Sequence, residues 1–398
     1  DTVWARSLDL NAAVRGTSYS TSGYVTTWKV GATYNPVDDI RFRATRSRDI
    51  RAPNLNDLYA AGTANTNNVT DPFNGNALTL YQGLAVGNTA LLPETADTTG
   101  LGVVVQPQFF PGFSASFDYY NIDLTNGISS IGAQVIVDRC YQGITQYCAA
   151  ITRGSNGLGA TVITQIRLQP FNAAQRINRG YDIEASYQLP LEQVSSDLGG
   201  TLGLRFLATH YLKNYTNDGI NPAYDVVGQN TGGGPPKWVY RGTLTYSNDP
   251  VTWTLTGRGL SSGIYGASSY PYIACTSGCP TSTVTVPTIN NNHIDGAFYW
   301  DTAISYKFAH MADNGYDAEA FFNVQNLMNK DPAVVAQGPG GFPYAAIPAN
   351  PTLYDVLGRT FRAGIRFKLG AAPAAPKKVE AAAAAPPPPP PPPAARPA

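Results

Sequence analysis

The chain has 398 residues, a formal net charge of zero and only 14% charged residues, so it carries no electrostatic footprint for nucleic acid. Its mean hydropathy of −0.18 and the absence of any apolar run of about 18 residues exclude a helical membrane protein. They leave a membrane β-barrel open, because a polar inner face dilutes hydropathy. Aromatic residues at 11%, with 24 Tyr, and a Gly count of 39 favour strands over helices.

In chain order, Leu8, Leu10, Ala12 and Val14 alternate with polar neighbours and predict a first strand. A polar bend over 16–23 leads to a second strand carrying Trp28, Val30, Ala32 and Tyr34. The turn NPVDD then joins a third, with Ile40, Phe42 and Ala44 opposite Arg41, Arg43 and Thr45. The segment 47–94 shows no sustained period and reads as a long loop. Strand patterns resume at Leu101, Val103 and Val105 and again at Phe113, Ala115, Phe117 and Tyr119. A second long connection, 126–159, carries Cys140 and Cys148 and one or two helical turns over 133–141. The stretch 161–189 reads as one long, bent strand, in which Tyr181, Ile183, Ala185, Tyr187 and Leu189 oppose Asp182, Glu184, Ser186 and Gln188. Further strands are expected around Leu204, Leu244, Trp253, Trp300 and Phe322, separated by loops over 214–236, 261–292 and 328–356. The second of these carries Cys275 and Cys279. The last strand is GRTFRAGIRFKL, with Phe361, Ala363, Ile365, Phe367 and Leu369 on one face and Arg362, Arg366 and Lys368 on the other.

This makes about twelve strands of roughly nine to twelve residues, the length a tilted strand needs to cross a bilayer. Short connections alternate with long ones, the pattern of periplasmic turns and extracellular loops. The expectation is an all-β fold: a portion of an antiparallel transmembrane β-barrel over 1–369. A disordered Ala/Pro-rich tail over 370–398 then hangs in the periplasm, where Pro386 to Pro393 favour a stiff polyproline II spacer. A soluble β-sandwich shares the period-two alternation, but long loops confined to one end favour the barrel. The chain opens at Asp1 without a Met or signal-like segment, as expected of a processed chain or a piece of a longer one. The cysteine pairs have no His at zinc-ligand spacing. Two small disulfide loops are the expected state, with free thiols as the alternative, and they imply an oxidising compartment.

No catalytic constellation is present. His210, His293 and His310 lie on separate elements without metal-ligand spacing. TGGGPPK, from Thr231 to Lys237, is followed by a strand rather than the helix a phosphate loop requires. No enzyme, cofactor or metal site is expected. What remains is the polar strand face, with Arg41, Arg43, Asp182, Glu184, Arg205, Arg241, Arg258, Asp301, Glu319, Arg362, Arg366 and Lys368, which would line a barrel lumen.

Several motifs resemble the C-terminal part of the β-barrel of TonB-dependent outer-membrane receptors. SRDIRAPNLNDLY, with Arg51, Pro53, Leu55 and Tyr59, resembles the family's strand-to-outer-loop segment. LLPETADT, with Pro93 and Glu94, resembles its lead into the next strand. NRGYDIEASY is similar to a strand motif at Gly180 and Asp182. NVQNLMNKDP, with Asn326 and Leu327, resembles the penultimate-strand motif, and the segment from Gly358 through Phe361 and Phe367 resembles the terminal strand. The resemblance implies a plugged receptor of roughly 22 strands that imports a siderophore–iron complex, vitamin or glycan across the outer membrane of a Gram-negative bacterium. Its implied partners are membrane lipid, a small-molecule ligand at the extracellular loops, a plug domain and N-terminal strands that this sequence does not contain, and the TonB complex through that plug. The alternatives are a passive porin-like channel formed by these strands and, third, a soluble secreted β-protein that binds through its loops.

Overall fold

The computed structural model describes residues 6–155, 157, 161–219, 222–231, 234–266, 272–283, 286–308, 316–334 and 348–369, with backbone alone at 316, 317, 368 and 369. The Ala/Pro-rich tail, the whole HMADNG turn with His310, and the side chains of Lys368 and Leu369 lie outside the described residues.

Twelve strands form one antiparallel meander in which each pairs with the next. They are β1 (Ser7–Tyr19), β2 (Gly23–Val37), β3 (Ile40–Arg51), β4 (Glu94–Val105), β5 (Phe113–Ser130), β6 (Pro170–Pro190), β7 (Thr201–Asn217), β8 (Trp238–Asn248), β9 (Val251–Leu260), β10 (Ala297–Lys307), β11 (Tyr316–Gln325) and β12 (Thr360–Leu369). The pair Tyr224–Asp225 adds a short extension beside β7. Among the described residues β1 pairs with β2 alone and β12 with β11 alone, so the strand order is open.

The register carries the alternation coherently across the wall. Ala208 faces Tyr240, Leu244 faces Leu204 and Leu255, and Phe322 faces Ile304 and Ala363. These apolar residues make one face, and its large members stay open: Leu10 is 73% exposed and Leu204 45%. A sheet whose exposed side is its apolar side is built for a hydrocarbon solvent. The opposite face carries Arg43, Asp118, Glu184, Arg205, Arg258 and Arg366, as a watery interior requires. Tyr34, Tyr187, Tyr246 and Tyr306 stand near one margin of the apolar face and Tyr181 and Trp238 near the other, as aromatic girdles do at the two interfaces.

The connections 38–39, 106–112, 191–200, 249–250 and 308–315 are short and share one end. At the other end 52–93, 131–169, 218–237, 261–296 and 326–359 are long. Three local expectations change. The outer bend expected over 16–23 is only 20–22, because β1 and β2 continue pairing to Tyr19 and Gly23, so the short–long alternation fails at this first hairpin. The long strand expected over 161–189 divides at Gln169: Thr161–Leu168 leaves the wall and Pro170–Pro190 remains. Strand lengths also exceed the expected range, reaching 21 residues in β6, because β5 to β7 continue past the apolar band.

The described parts of the long loops are folded. Segments 52–93 and 131–169 together build a four-stranded sheet in the order Thr63–Asp71, Ala77–Ala85, Thr161–Leu168, Ile151–Ser155. Helix α1 (Leu55–Tyr59) leads into it, and α2 (Ala133–Tyr141) packs on it, followed by α3 (Thr145–Cys148). Val69, Tyr81, Ile136, Val137, Ile163 and Ile166 form its core. A second cluster, with Leu260, Tyr265, Ile294, Ala297, Tyr299 and Tyr354, unites the outer ends of β9 and β10 with the loops 261–296 and 326–359.

Candidate functional site

The inner face and the folded outer loops are the two surfaces that can handle a ligand. On the inner face, charges of opposite sign meet across strands. Arg205 on β7 reaches Glu184 on β6 at 2.8 Å, and Arg366 on β12 reaches Glu319 on β11 at 2.8 Å. Arg43 on β3 reaches Asp118 on β5 with the whole of β4 between them, Nη2 to Oδ2 at 2.5 Å. Gly102 permits this: it stands opposite both Arg43 and Asp118 in the register, and a Cβ there would collide with Arg43 Nε and Asp118 Oδ1. Arg41 donates to Asn35 Oδ1 at 3.2 Å. Arg362 and Arg366 lie over the Phe321 ring, at 6.0 and 5.6 Å, where that ring covers Gly364. These half-exposed pairs contribute little stability each, about 0–1 kcal/mol. Their effect is to make the lining polar and locally neutral.

The residues of the family-like motifs meet at the outer ends of strands. Arg51, closing β3, donates to Glu94, opening β4, at 2.5 Å, and Glu94 also accepts from the Ile128 backbone of β5 at 2.7 Å. The two ends of loop 52–93 are thereby clasped. Asn54 caps α1 through a reciprocal capping box with Asp57. Leu58 of the same helix is buried, while Leu55 and Tyr59 are exposed. Pro53 and Pro93 are buried beside the clasp. Gly180 sits at a register shift of β6, where a Cβ would lie 2.5 Å from the His210 carbonyl oxygen. Asp182 accepts from the Thr209 hydroxyl at 2.6 Å. Asn326 is fully buried with a positive φ of 50°; its backbone donates to Asp301 at 2.8 Å and its side chain brackets the Lys330 backbone. Leu327 donates to the Trp300 carbonyl. Asn329 then accepts from the Arg359 backbone, beside Gly358, at 2.9 Å, which joins the two ends of loop 326–359. Phe361 and Phe367 are on the outward apolar face.

Arg258 links the wall to that same loop. It bonds Asp301 at 2.7 Å and Asp355 at 3.3 Å and lies over the Tyr299 ring at 4.7 Å. Deeper in the second cap, buried Asn230 donates to the Tyr354 hydroxyl and the Ser261 carbonyl, each at 3.0 Å, and Tyr354 donates to the Asp295 carbonyl.

The first cap has its own charged centre, which the sequence reading missed. Asp71 is fully buried and takes both guanidinium nitrogens of Arg153, at 2.7 and 2.9 Å. Arg153 also covers the Phe73 ring, which meets Tyr141 edge-on. The Arg153 hydrogen bonds hold the Asp71 carboxyl below the usual carboxylate range, against the desolvation that would raise it. Gln134 of α2 pairs with both backbone groups of Thr70, at 2.8 and 2.9 Å, extending the sheet through a side chain. Cys140 and Cys148 are bridged between α2 and α3, and Cys275 and Cys279 are bridged in loop 261–296. Among the described residues no cluster of metal-ligating side chains occurs.

A family model described as "TonB dependent receptor-like, beta-barrel" matches residues 3–327. The fold is shared with the siderophore receptor PirA from Acinetobacter baumannii: 15% identity and a TM-score of 0.57, covering 90% of this chain and 43% of that one. It is also shared with a mutant of the ferric enterobactin receptor PfeA from Pseudomonas aeruginosa in complex with enterobactin: 16% identity and a TM-score of 0.55, with the same coverage. This chain thus spans less than half the length of those receptors. A search of curated proteins found no match.

Proposed function

This chain belongs to the TonB-dependent receptor-like β-barrel family, and from that premise we propose that it supplies the C-terminal part of the wall of a receptor importing a scarce nutrient. The family implies the outer membrane of a Gram-negative bacterium. The cargo class we assign is a siderophore-bound iron, a vitamin or a glycan, captured by the folded outer loops. A plug domain inside the completed barrel gates passage and couples it to the TonB complex. The observation that carries this reading is the combination of a polar, charge-paired inner face with large loops that are folded and clasped at one end only. The open strand order favours a larger barrel over a porin-like channel closed by these strands alone, because each unpaired ladder group in hydrocarbon costs several kcal/mol. Since β12 runs toward the short-turn end, we assign the Ala/Pro-rich segment 370–398 to the periplasm as a spacer.

The test is binding by the full-length parent receptor in outer-membrane vesicles, using a ferric siderophore, cobalamin and a maltodextrin as probes. Saturable binding of one, abolished by trimming the outer loops with protease, is the expected result. Binding of none of the three, together with steady ion conductance by the present chain in planar bilayers, would sink it in favour of the channel.

A further inference from the structure

We infer that the outward face of β6 to β10 holds a phosphorylated lipid of the outer leaflet, with its phosphate between Arg179 and Lys213 and an acyl chain in a hollow below them. The inference rests on the membrane-wall geometry and is independent of which nutrient the receptor imports.

Arg179 and Lys213 stand directly opposite one another on adjacent strands, β6 and β7. Both alternate in phase with the outward residues Tyr181 and Tyr215. Like charges in this position destabilise a sheet, and among the described residues neither has a carboxylate partner within salt-bridge distance. Arg179 donates to the neutral Asn121 side chain at 2.8 Å, and Lys213 lies over the Tyr215 ring at 4.5 Å. Two carboxylates flanking this strand pair bond elsewhere: Asp123 accepts from Gln175, and Asp225 accepts from the Asn214 and Val227 backbones. Two half-buried cations therefore face each other at the outer margin of the apolar band. Just below them His210 stacks on Trp238 at 4.2 Å and meets Tyr181 at 4.9 Å, an aromatic patch at the depth where headgroups give way to chains. An anion supplied by the membrane removes the repulsion, and a lipid phosphate is the anion available at that depth.

The acyl site is the second, independent observation. Below the aromatic patch the wall is indented by a hollow of about 560 Å³ whose lining includes Leu204, Phe206, Tyr240, Leu244, Phe298 and Trp300. The indentation exists because the outward position of β8 at its centre is Gly242, where an added Cβ would meet nothing within 4 Å. Tyr240, on the upper rim, is level with Ala208 and, through it, with Ile183, four residues below Arg179. At ~3.3 Å per residue that places the cations about 13 Å above the rim, a distance one extended chain covers. A basic pair above an apolar slot is complementary to an anionic headgroup carrying a saturated chain.

The experiment uses the full-length receptor in vesicles of phosphatidylcholine with or without diphosphoryl lipid A, and counts retained lipid by native mass spectrometry after detergent exchange. The R179Q/K213Q double variant should retain lipid A about 25-fold less, at about fivefold per cation. In pure phosphatidylcholine it should be more thermostable than the unchanged protein, because the repulsion is gone. G242F, which fills the hollow without backbone conflict, should lower retention of lipid A while leaving the cations in place. Equal retention by all three proteins would overturn the proposal. So would a stabilisation by inorganic phosphate alone equal to that given by lipid A, since the site would then bind a free anion.

Discussion

The strand wall and the loop caps obey opposite rules of burial. In the wall, Leu10, Leu101, Leu204 and Ile365 are open on the outward face while arginines and carboxylates pair on the inward face. In the first cap, Ile163, Ile166 and Val137 are shut away completely, and even Asp71 is buried on condition that Arg153 meets it. Each region is arranged for its own solvent: hydrocarbon around the wall, water around the caps. A single chain switches between the two conventions at Gln169, where Thr161–Leu168 ends in one environment and Pro170–Pro190 begins in the other.

Substitutions placed in each region should separate them. The largest effect is expected from Arg153→Ala, which strands Asp71 in the first cap without its partner. A loss of about 3–5 kcal/mol confined to the cap should follow, read as rapid proteolysis within 52–93 while heat-modifiable gel mobility of the wall is unchanged. In the unchanged protein the same cap should loosen on acidification. The Asp71 carboxyl is held below its ordinary range, so its stabilisation is present above about pH 4 and is lost as pH falls through the depressed value. Hydrogen exchange in 63–85 should accelerate there and the wall strands should not. Next, Ile163→Ala should cost about 2–5 kcal/mol by emptying the cap core, again without affecting strand insertion. On the wall the sign of tolerance inverts: Leu204→Arg should cost about 2–4 kcal/mol in urea unfolding from vesicles. Thr254→Arg, on the inner face, should stay within about 0.5 kcal/mol. Gly102→Ala should fall between these two wall substitutions, at roughly 1 kcal/mol from overpacking. Its signature is loss of the Arg43–Asp118 contact, visible as new reactivity of Arg43 toward a water-soluble dicarbonyl reagent.

The wall was legible in the sequence because a bilayer-facing strand leaves period two in plain view. Phe361, Ala363, Ile365 and Phe367 alternate with Arg362, Gly364 and Arg366, and the register confirms the same phase in the neighbouring strand. The caps were not legible. One of their strands, TANTNNVTD over Thr63–Asp71, carries almost no apolar residues and owes its order to partners far along the chain. Val69 packs with Ile136 and Ile163, and Gln134 supplies the hydrogen bonds that a missing strand would have made. The same distance effect hid the Asp71–Arg153 pair, since nothing local marks either residue. The division of 161–189 was missed because cap and wall strands share the same periodicity, and only the change of solvent at Gln169 distinguishes them. The motif segments were visible as strings, but their shared role was not: Arg51 with Glu94, and Asn329 with Arg359, join the two feet of a loop.

The central claim is the inside-out sense of the wall, and a cysteine scan along β7 tests it most directly. Single cysteines at 202 to 208, in the full-length receptor in vesicles, would be probed by brominated-lipid quenching of an attached fluorophore and by a charged, membrane-impermeant thiol reagent. Leu202, Leu204, Phe206 and Ala208 should be quenched by lipid and protected from the reagent, while Gly203, Arg205 and Leu207 should show the reverse. The opposite phase, or no alternation at all, would contradict the account.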